Sequence, residues 1–279
     1  MASVLVNTQW LEEHLSDPNV RIIEVSSQEN DEVYRTGHIP GALRWFWKDA
    51  CWHTTDRQFI TPEAMAKMLG SIGIGPDTTL VLYGDPVQYG TYAYWVLTMA
   101  GHKNLKCLDG TRTKWIAESR PLTRNIPRFT VVDYPTPLPD ESMRIGRDNV
   151  RDNLGKTSRI LLDARTPEEY SGDRVLGYGS LDHGAERKGR IPGAKHLFYG
   201  ELLNEDDSFK SEDEIRRIVS TVDPTLNQID EIVCYCRLSH RATLVWLALS
   251  KILAYNNVKI YDGSWTEWGS IVGFPVEGA

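Results

Sequence analysis

The residues best placed to do covalent chemistry form one hexapeptide, Cys236-Arg237-Leu238-Ser239-His240-Arg241. Before it stands the apolar run Glu231-Ile232-Val233-Cys234-Tyr235, and after it the stretch opening Ala242-Thr243-Leu244-Val245-Trp246. The first has the length and composition of a buried parallel strand. The second reads as an apolar helix from about Ala242 to Ala254. A thiol is thereby expected where a strand ends and a helix begins. Turn N–H groups and a helix N-terminus both favour negative charge there, and Arg237 and Arg241 add permanent cations. Each of these favours the thiolate, which is the nucleophile. Cys234 lies inside the strand and reads as a core thiol. Cys51 and Cys107 have no basic turn after them and read as structural. Cys234 and Cys236 are separated by one residue, so a disulfide between them would be strained. With no C-x-x-C spacing, zinc and thioredoxin-type chemistry are not expected. His38, His53, His102 and His196 lack metal-ligand spacing, whereas His240, within the hexapeptide, is a candidate donor or general acid.

The elements that must position this loop occur twice. Gly37-His38-Ile39-Pro40-Gly41-Ala42 returns as Gly189-Arg190-Ile191-Pro192-Gly193-Ala194. Leu108-Asp109-Gly110-Thr111 with Trp115 returns as Tyr261-Asp262-Gly263-Ser264 with Trp268. The offset is about 152 residues both times, which reads as two homologous domains and not as a solenoid. Strand candidates come in matching pairs: Val20–Val25 with Arg159–Asp163, Thr79–Tyr83 with Glu231–Tyr235, and Leu105–Leu108 with Val258–Tyr261. Strands alternating with helices predict an α/β sheet in each half. Three prolines within Tyr134-Pro135-Thr136-Pro137-Leu138-Pro139-Asp140 suggest a semi-rigid linker. The boundaries expected are 1–133 for the first domain, 134–145 for the linker and 146–279 for the second. The halves differ in two places. An insertion of about 16 residues, carrying Arg174, Arg187 and Lys188, separates Tyr170 from Gly189, and inserted loops tend to carry function. The turn equivalent to the cysteine loop is Gly84-Asp85-Pro86-Val87-Gln88-Tyr89, where Asp85 stands in or next to the cysteine's place.

Composition bounds the rest. A chain of 279 residues suits two domains or one large one and can bury a sizeable core without disulfides. With 41% hydrophobic and 25% charged residues it belongs to the globular class. A net charge of −7 argues against nucleic acid and anionic membranes as partners, so an anionic substrate would need a local basic pocket. No apolar run is long enough for a membrane span. The start reaches Glu12-Glu13 without a basic region, so an export signal is not expected. The four cysteines are expected to be thiols in a reducing cytoplasm.

These motifs resemble the rhodanese family of tandem sulfurtransferases over almost the whole chain. Tyr34-Arg35-Thr36-Gly37-His38-Ile39-Pro40-Gly41-Ala42 is similar to the family's N-terminal signature. Val258-Lys259-Ile260-Tyr261-Asp262-Gly263-Ser264-Trp265-Thr266-Glu267-Trp268 is similar to its C-terminal signature, and Tyr235-Cys236-Arg237 to the start of its six-residue active loop. The resemblance implies two rhodanese-like domains, each a mostly parallel sheet flanked by helices. The first would be non-catalytic and would face the catalytic second across a cleft. It also implies that Cys236 takes the outer sulfur of thiosulfate as a persulfide and passes it to cyanide or a thiol, a thioredoxin-like protein being one candidate acceptor. No cofactor or metal is needed, and a monomer suffices. Arg237, Leu238, Ser239, His240 and Arg241 would bind the donor.

The chain departs from the family in two places. Gly189-Arg190 replaces Gly-His in the second half. Where the family places a substrate-binding arginine after an aromatic residue, Tyr170 is followed by Ser171, which leaves Arg174 or Arg187 as the substitute. Three alternatives have distinct signatures. 3-Mercaptopyruvate sulfurtransfer favours small residues after the cysteine, where this chain has Arg237. A phosphatase loop has five residues between cysteine and arginine, where Cys236 and Arg241 enclose four. A non-catalytic binding module would have no need of the thiol.

Overall fold

The computed structural model describes residues 3–173 and 184–278. The chain divides into a first unit, Met1–Glu141 with Glu205–Phe209, and a second, Ser142–Asn204 with Lys210–Ala279. Each is built on a five-stranded sheet. In the first unit the strands are β1 (Leu5–Val6), β2 (Val20–Ser26), β3 (Ala42–Phe46), β4 (Thr79–Asp85) and β5 (Leu105–Leu108), in the order β1-β5-β4-β2-β3. In the second they are β6 (Arg144–Ile145), β7 (Arg159–Asp163), β8 (Lys195–His196), β9 (Glu231–Tyr235) and β10 (Val258–Tyr261), in the order β6-β10-β9-β7-β8. All eight strand pairings are parallel. The fold is therefore the twofold parallel α/β arrangement that the alternating elements predict. β7 and β9 read as near-continuous apolar runs because helices cover both faces of such a sheet, and four of the five residues in each are buried.

Equivalent residues do equivalent work in the two units. Glu24 pairs in register with Tyr83, and Asp163 with Tyr235. The Tyr34 hydroxyl donates to the Ala42 carbonyl at 2.7 Å, and that of Tyr170 to the Ala194 carbonyl at 2.8 Å, closing each copy of the repeated signature. His38 stacks on Tyr34, with ring centroids 3.7 Å apart. At the matching place the Arg190 guanidinium lies 4.5 Å from the Tyr170 ring. This accounts for the Gly-Arg departure: a planar cation replaces a planar imidazole on the same tyrosine face.

The helix after β9 begins at His240, not at Ala242, and runs to Leu247, where a π-helical turn, Ala248–Ile252, continues it. The early start follows from Ser239, whose φ of +72° turns the chain abruptly, so that its carbonyl accepts the Thr243 N–H at 2.8 Å. The proline-rich stretch packs along the first unit. Tyr134 is buried with its hydroxyl 2.6 Å from His102 Nδ1, and the Asp140 N–H donates to the Met99 carbonyl at 2.7 Å.

Candidate active site

Cys236 is the first residue past β9, and it is buried at 1% exposure. The Asp262-Gly263-Ser264-Trp265-Thr266 segment after β10 holds its loop in shape. The Cys236 N–H donates to Ser264 Oγ at 3.2 Å, and that hydroxyl donates in turn to the Tyr261 carbonyl at 2.9 Å. The Cys236 carbonyl accepts the Trp265 N–H at 3.0 Å, and the Arg237 carbonyl accepts the Thr266 N–H at 3.2 Å. Ser239 Oγ donates to the Asp262 carbonyl at 2.7 Å. The second repeated motif is thus a splint for the cysteine loop. β9 and β10 are neighbours in the sheet, so their C-terminal ends lie side by side. Ligand sites of parallel sheets form at these ends.

Arg237 and Leu238 are partly exposed in the loop, Ser239 and His240 are buried, and Arg241 lies in the first helical turn. The Arg241 guanidinium is gripped at both ends by one carboxylate, with Nη1 2.6 Å from Glu169 Oε2 and Nη2 3.0 Å from Oε1. Burial works against the Arg241 charge, but the Glu169 hydrogen bonds and the nearby Cys236 outweigh it and raise its pKa. Burial likewise opposes the Glu169 charge, yet Arg241 and the Thr166 N–H bring its carboxyl down to about 2. Glu169 also closes a capping box, its Oε2 accepting the Thr166 N–H at 3.0 Å at the start of the helix Pro167–Ser171.

The arginines of the insertion have separate fates. Arg187 directs its guanidinium at four carbonyls: those of Gly269 at 2.9 Å, Phe274 at 2.6 Å, Trp268 at 2.8 Å and Ile271 at 2.9 Å. Its position clamps the C-terminal segment and leaves little of the guanidinium for a ligand. Arg174 lies outside the described residues. Asp163 and Arg165 pair at the end of β7, 2.6 Å apart and fully buried, with the guanidinium 4.6 Å from the Trp265 ring. Cys234 faces the core at zero exposure, where burial pushes its thiol pKa up.

In the first unit the register that equates Tyr83 with Tyr235 sets Gly84 in the place of Cys236 and Asp85 in that of Arg237. A Cβ at Gly84 would lie 2.3 Å from Gly90 N and 2.5 Å from the Pro86 carbonyl oxygen. The first loop has closed down on its glycine and has no room for a side chain. Among the described residues no group of three or more His, Cys, Asp or Glu is arranged to hold a metal ion.

A rhodanese-like domain model matches residues 7–118 and again 147–271. The chain belongs to the rhodanese family. Among its relatives, "Sulfur carrier protein TtuD" of Thermus thermophilus is 42% identical over 277 residues, spanning 98% of this chain and 96% of that protein. "Putative thiosulfate sulfurtransferase" of Haloferax volcanii is 39% identical over 280 residues, with the same coverage. The anaerobic ergothioneine biosynthesis enzyme of Chlorobium limicola, solved with trimethyl histidine, superposes with a TM-score of 0.85. It is 23% identical over 98% of this chain and 69% of its own, a likeness of fold. The rhodanese-like domains and the sulfurtransferase names of these relatives place the chain in a sulfurtransferase family. The sequence reading overlooked two residues that shape this rhodanese loop, Glu169 and Ser264. A signal existed for each: the Thr166-Pro167-Glu168-Glu169 capping box, and the serine within the repeated Asp-Gly motif.

Proposed function

We propose that the chain is a thiosulfate sulfurtransferase working through a Cys236 persulfide. The observation that carries this reading is the Cys236 thiol at the end of β9, with its N–H and carbonyl both fixed by the Ser264–Trp265 turn and the Arg241 charge nearby. The thiolate attacks the outer sulfur of thiosulfate. A new S–S bond forms to Cys236, the old S–S bond breaks, and sulfite leaves with its electron pair. Cyanide or a thiolate then attacks the outer sulfur of the persulfide. Cys236 departs as thiolate, and thiocyanate or a new persulfide is released. Sulfur is moved without net oxidation of the protein. Arg237 provides a cation for the donor's oxygens, Leu238 and His240 line the loop, and fixed loop N–H groups offer preorganised stabilisation of sulfur-centred charge. The first unit, with Gly84 where the thiol would stand, takes no part in the chemistry.

The resemblance to TtuD favours a second reading of the acceptor: the persulfide is handed to a protein thiol and not to a small molecule. Release of sulfite from thiosulfate, followed with cyanide and with a thioredoxin-like protein as acceptors, tests both. Sulfite release with either acceptor supports the proposal. Turnover of 3-mercaptopyruvate but not thiosulfate would replace the donor, and phosphatase activity without sulfur transfer would overturn the reading.

A further inference from the structure

The cations near the cysteine loop are largely engaged within the protein. Arg165 is paired with Asp163, Arg187 with backbone carbonyls, and Arg241 with Glu169. The last pairing sits in the cysteine loop itself, where Arg241 is close enough to interact electrostatically with Cys236. Glu169 is 2% exposed, and its helix holds it independently of Arg241, because Oε2 also accepts the Thr166 N–H. The carboxylate would stay in place if the arginine were removed. From this geometry we infer that Glu169 is a positioning and specificity residue: acting through Arg241, it cancels one positive charge beside Cys236 and so weakens the site's pull on strongly anionic donors. The inference deepens the sulfurtransferase reading and rests on Cys236 as the site of donor attack.

The physical argument concerns range. A lone guanidinium attracts a dianion as a charge, whereas a guanidinium closed by a buried carboxylate acts as a dipole whose attraction falls off faster with distance. The protein already carries a net charge of −7, so local cations matter more to an incoming anion. A residue needed only to hold the loop in shape would be served nearly as well by a neutral glutamine, which keeps one acceptor for the arginine. Charge and hydrogen bonding can therefore be separated.

The test is the apparent Kd of inorganic sulfate, measured by calorimetry on the full chain at low and high ionic strength. Sulfate is a dianion that binds without turnover. Glu169→Gln is expected to tighten sulfate about fivefold at low salt and to steepen the salt dependence, while Glu169→Asp stays within about twofold of wild type. Arg241→Gln, leaving the carboxylate alone, is expected to weaken sulfate about fivefold or more. The double variant Glu169→Gln/Arg241→Gln removes both charges and should return to within about twofold of wild type, which keeps the test sound if the single glutamine variant fails to fold. Sulfate binding unchanged, weakened or absent in Glu169→Gln, or a double variant as weak as Arg241→Gln, overturns the inference. Failure of the wild type to release sulfite from thiosulfate would instead sink the sulfurtransferase reading and leave the charge measurement standing.

Discussion

Two cysteines one residue apart have opposite chemical prospects because of where β9 stops. Cys234 sits within the ladder, at zero exposure, and burial raises its thiol pKa, so it stays protonated at neutral pH. Cys236 lies beyond the last paired residue, with Arg237 after it and the Arg241–Glu169 pair close by. Cys236→Ser is therefore expected to lower sulfur transfer by about three orders of magnitude or more with the fold intact, since a hydroxyl neither ionises nor accepts sulfur under these conditions. Cys234→Ser should keep most of the activity and lose about 1–3 kcal/mol of stability, the cost of a hydroxyl in the core. Turnover assays and thermal melts of the two variants check this, and an active Cys236→Ser would refute it. At this scale the sequence separates a thiol inside the strand from one at its end, and β9 ends between them. The partners of Arg187 and Arg241, backbone carbonyls and the Glu169 carboxylate, are distant in sequence, and no local pattern announces such pairings.

At the scale of elements, the loop is a strand end braced by the next strand's turn. Ser239 joins these, holding a left-handed φ of +72° and donating to the Asp262 carbonyl. Ser239→Gly keeps the backbone conformation and loses one hydrogen bond, at about 1 kcal/mol. Ser239→Val places a β-branched side chain at positive φ as well and should cost about 2–4 kcal/mol and most of the activity. Equal melting points for the two variants would mean that the conformation at residue 239 is not what positions the helix. The neighbouring ion pair has a pH signature. The folded-state Glu169 carboxyl is depressed from its ordinary 4.5 to about 2, against the opposing effect of burial. A depressed carboxyl contributes stability above its unfolded pKa, and that contribution disappears as pH falls from about 4.5 towards about 2. Its size is on the order of 3 kcal/mol for the coupled pair. Glu169→Gln should flatten the fall of the melting temperature across this window. A slope unchanged from wild type would show that other carboxylates govern it. Six of the ten strands, β2, β4, β5, β7, β9 and β10, are legible as apolar runs, whereas β3 and the two-residue β1, β6 and β8 carry no such signal. The helix start at His240 is not legible either, because it depends on a serine adopting a conformation usually left to glycine.

At the scale of the whole molecule, the duplication is visible in the sequence as two repeated motifs and in the structure as two sheets of one topology. The two units differ at the position where β4 and β9 hand over to their loops. Where the second unit has Cys236, the first has Gly84, whose missing Cβ is required by the approach of Gly90 N and the Pro86 carbonyl. The sequence leaves open whether Asp85 stands in the cysteine's place or next to it. Only the strand register shows that Asp85 corresponds to Arg237 and that the glycine takes the thiol's place. Gly84→Cys is accordingly expected to destabilise the first unit by about 3 kcal/mol and to create no second site. A variant that melts like the wild type and turns over twice as fast would show that the first loop had room after all. The central claim, that sulfur rides on Cys236, is tested most directly by mass spectrometry of the intact chain and its peptides after exposure to thiosulfate without acceptor. The expected result is a gain of one sulfur atom per chain, located on the Cys236 peptide, absent in Cys236→Ser and lost on adding cyanide. Sulfur found on Cys51, Cys107 or Cys234, or no covalent sulfur in a chain that still releases sulfite, would contradict it.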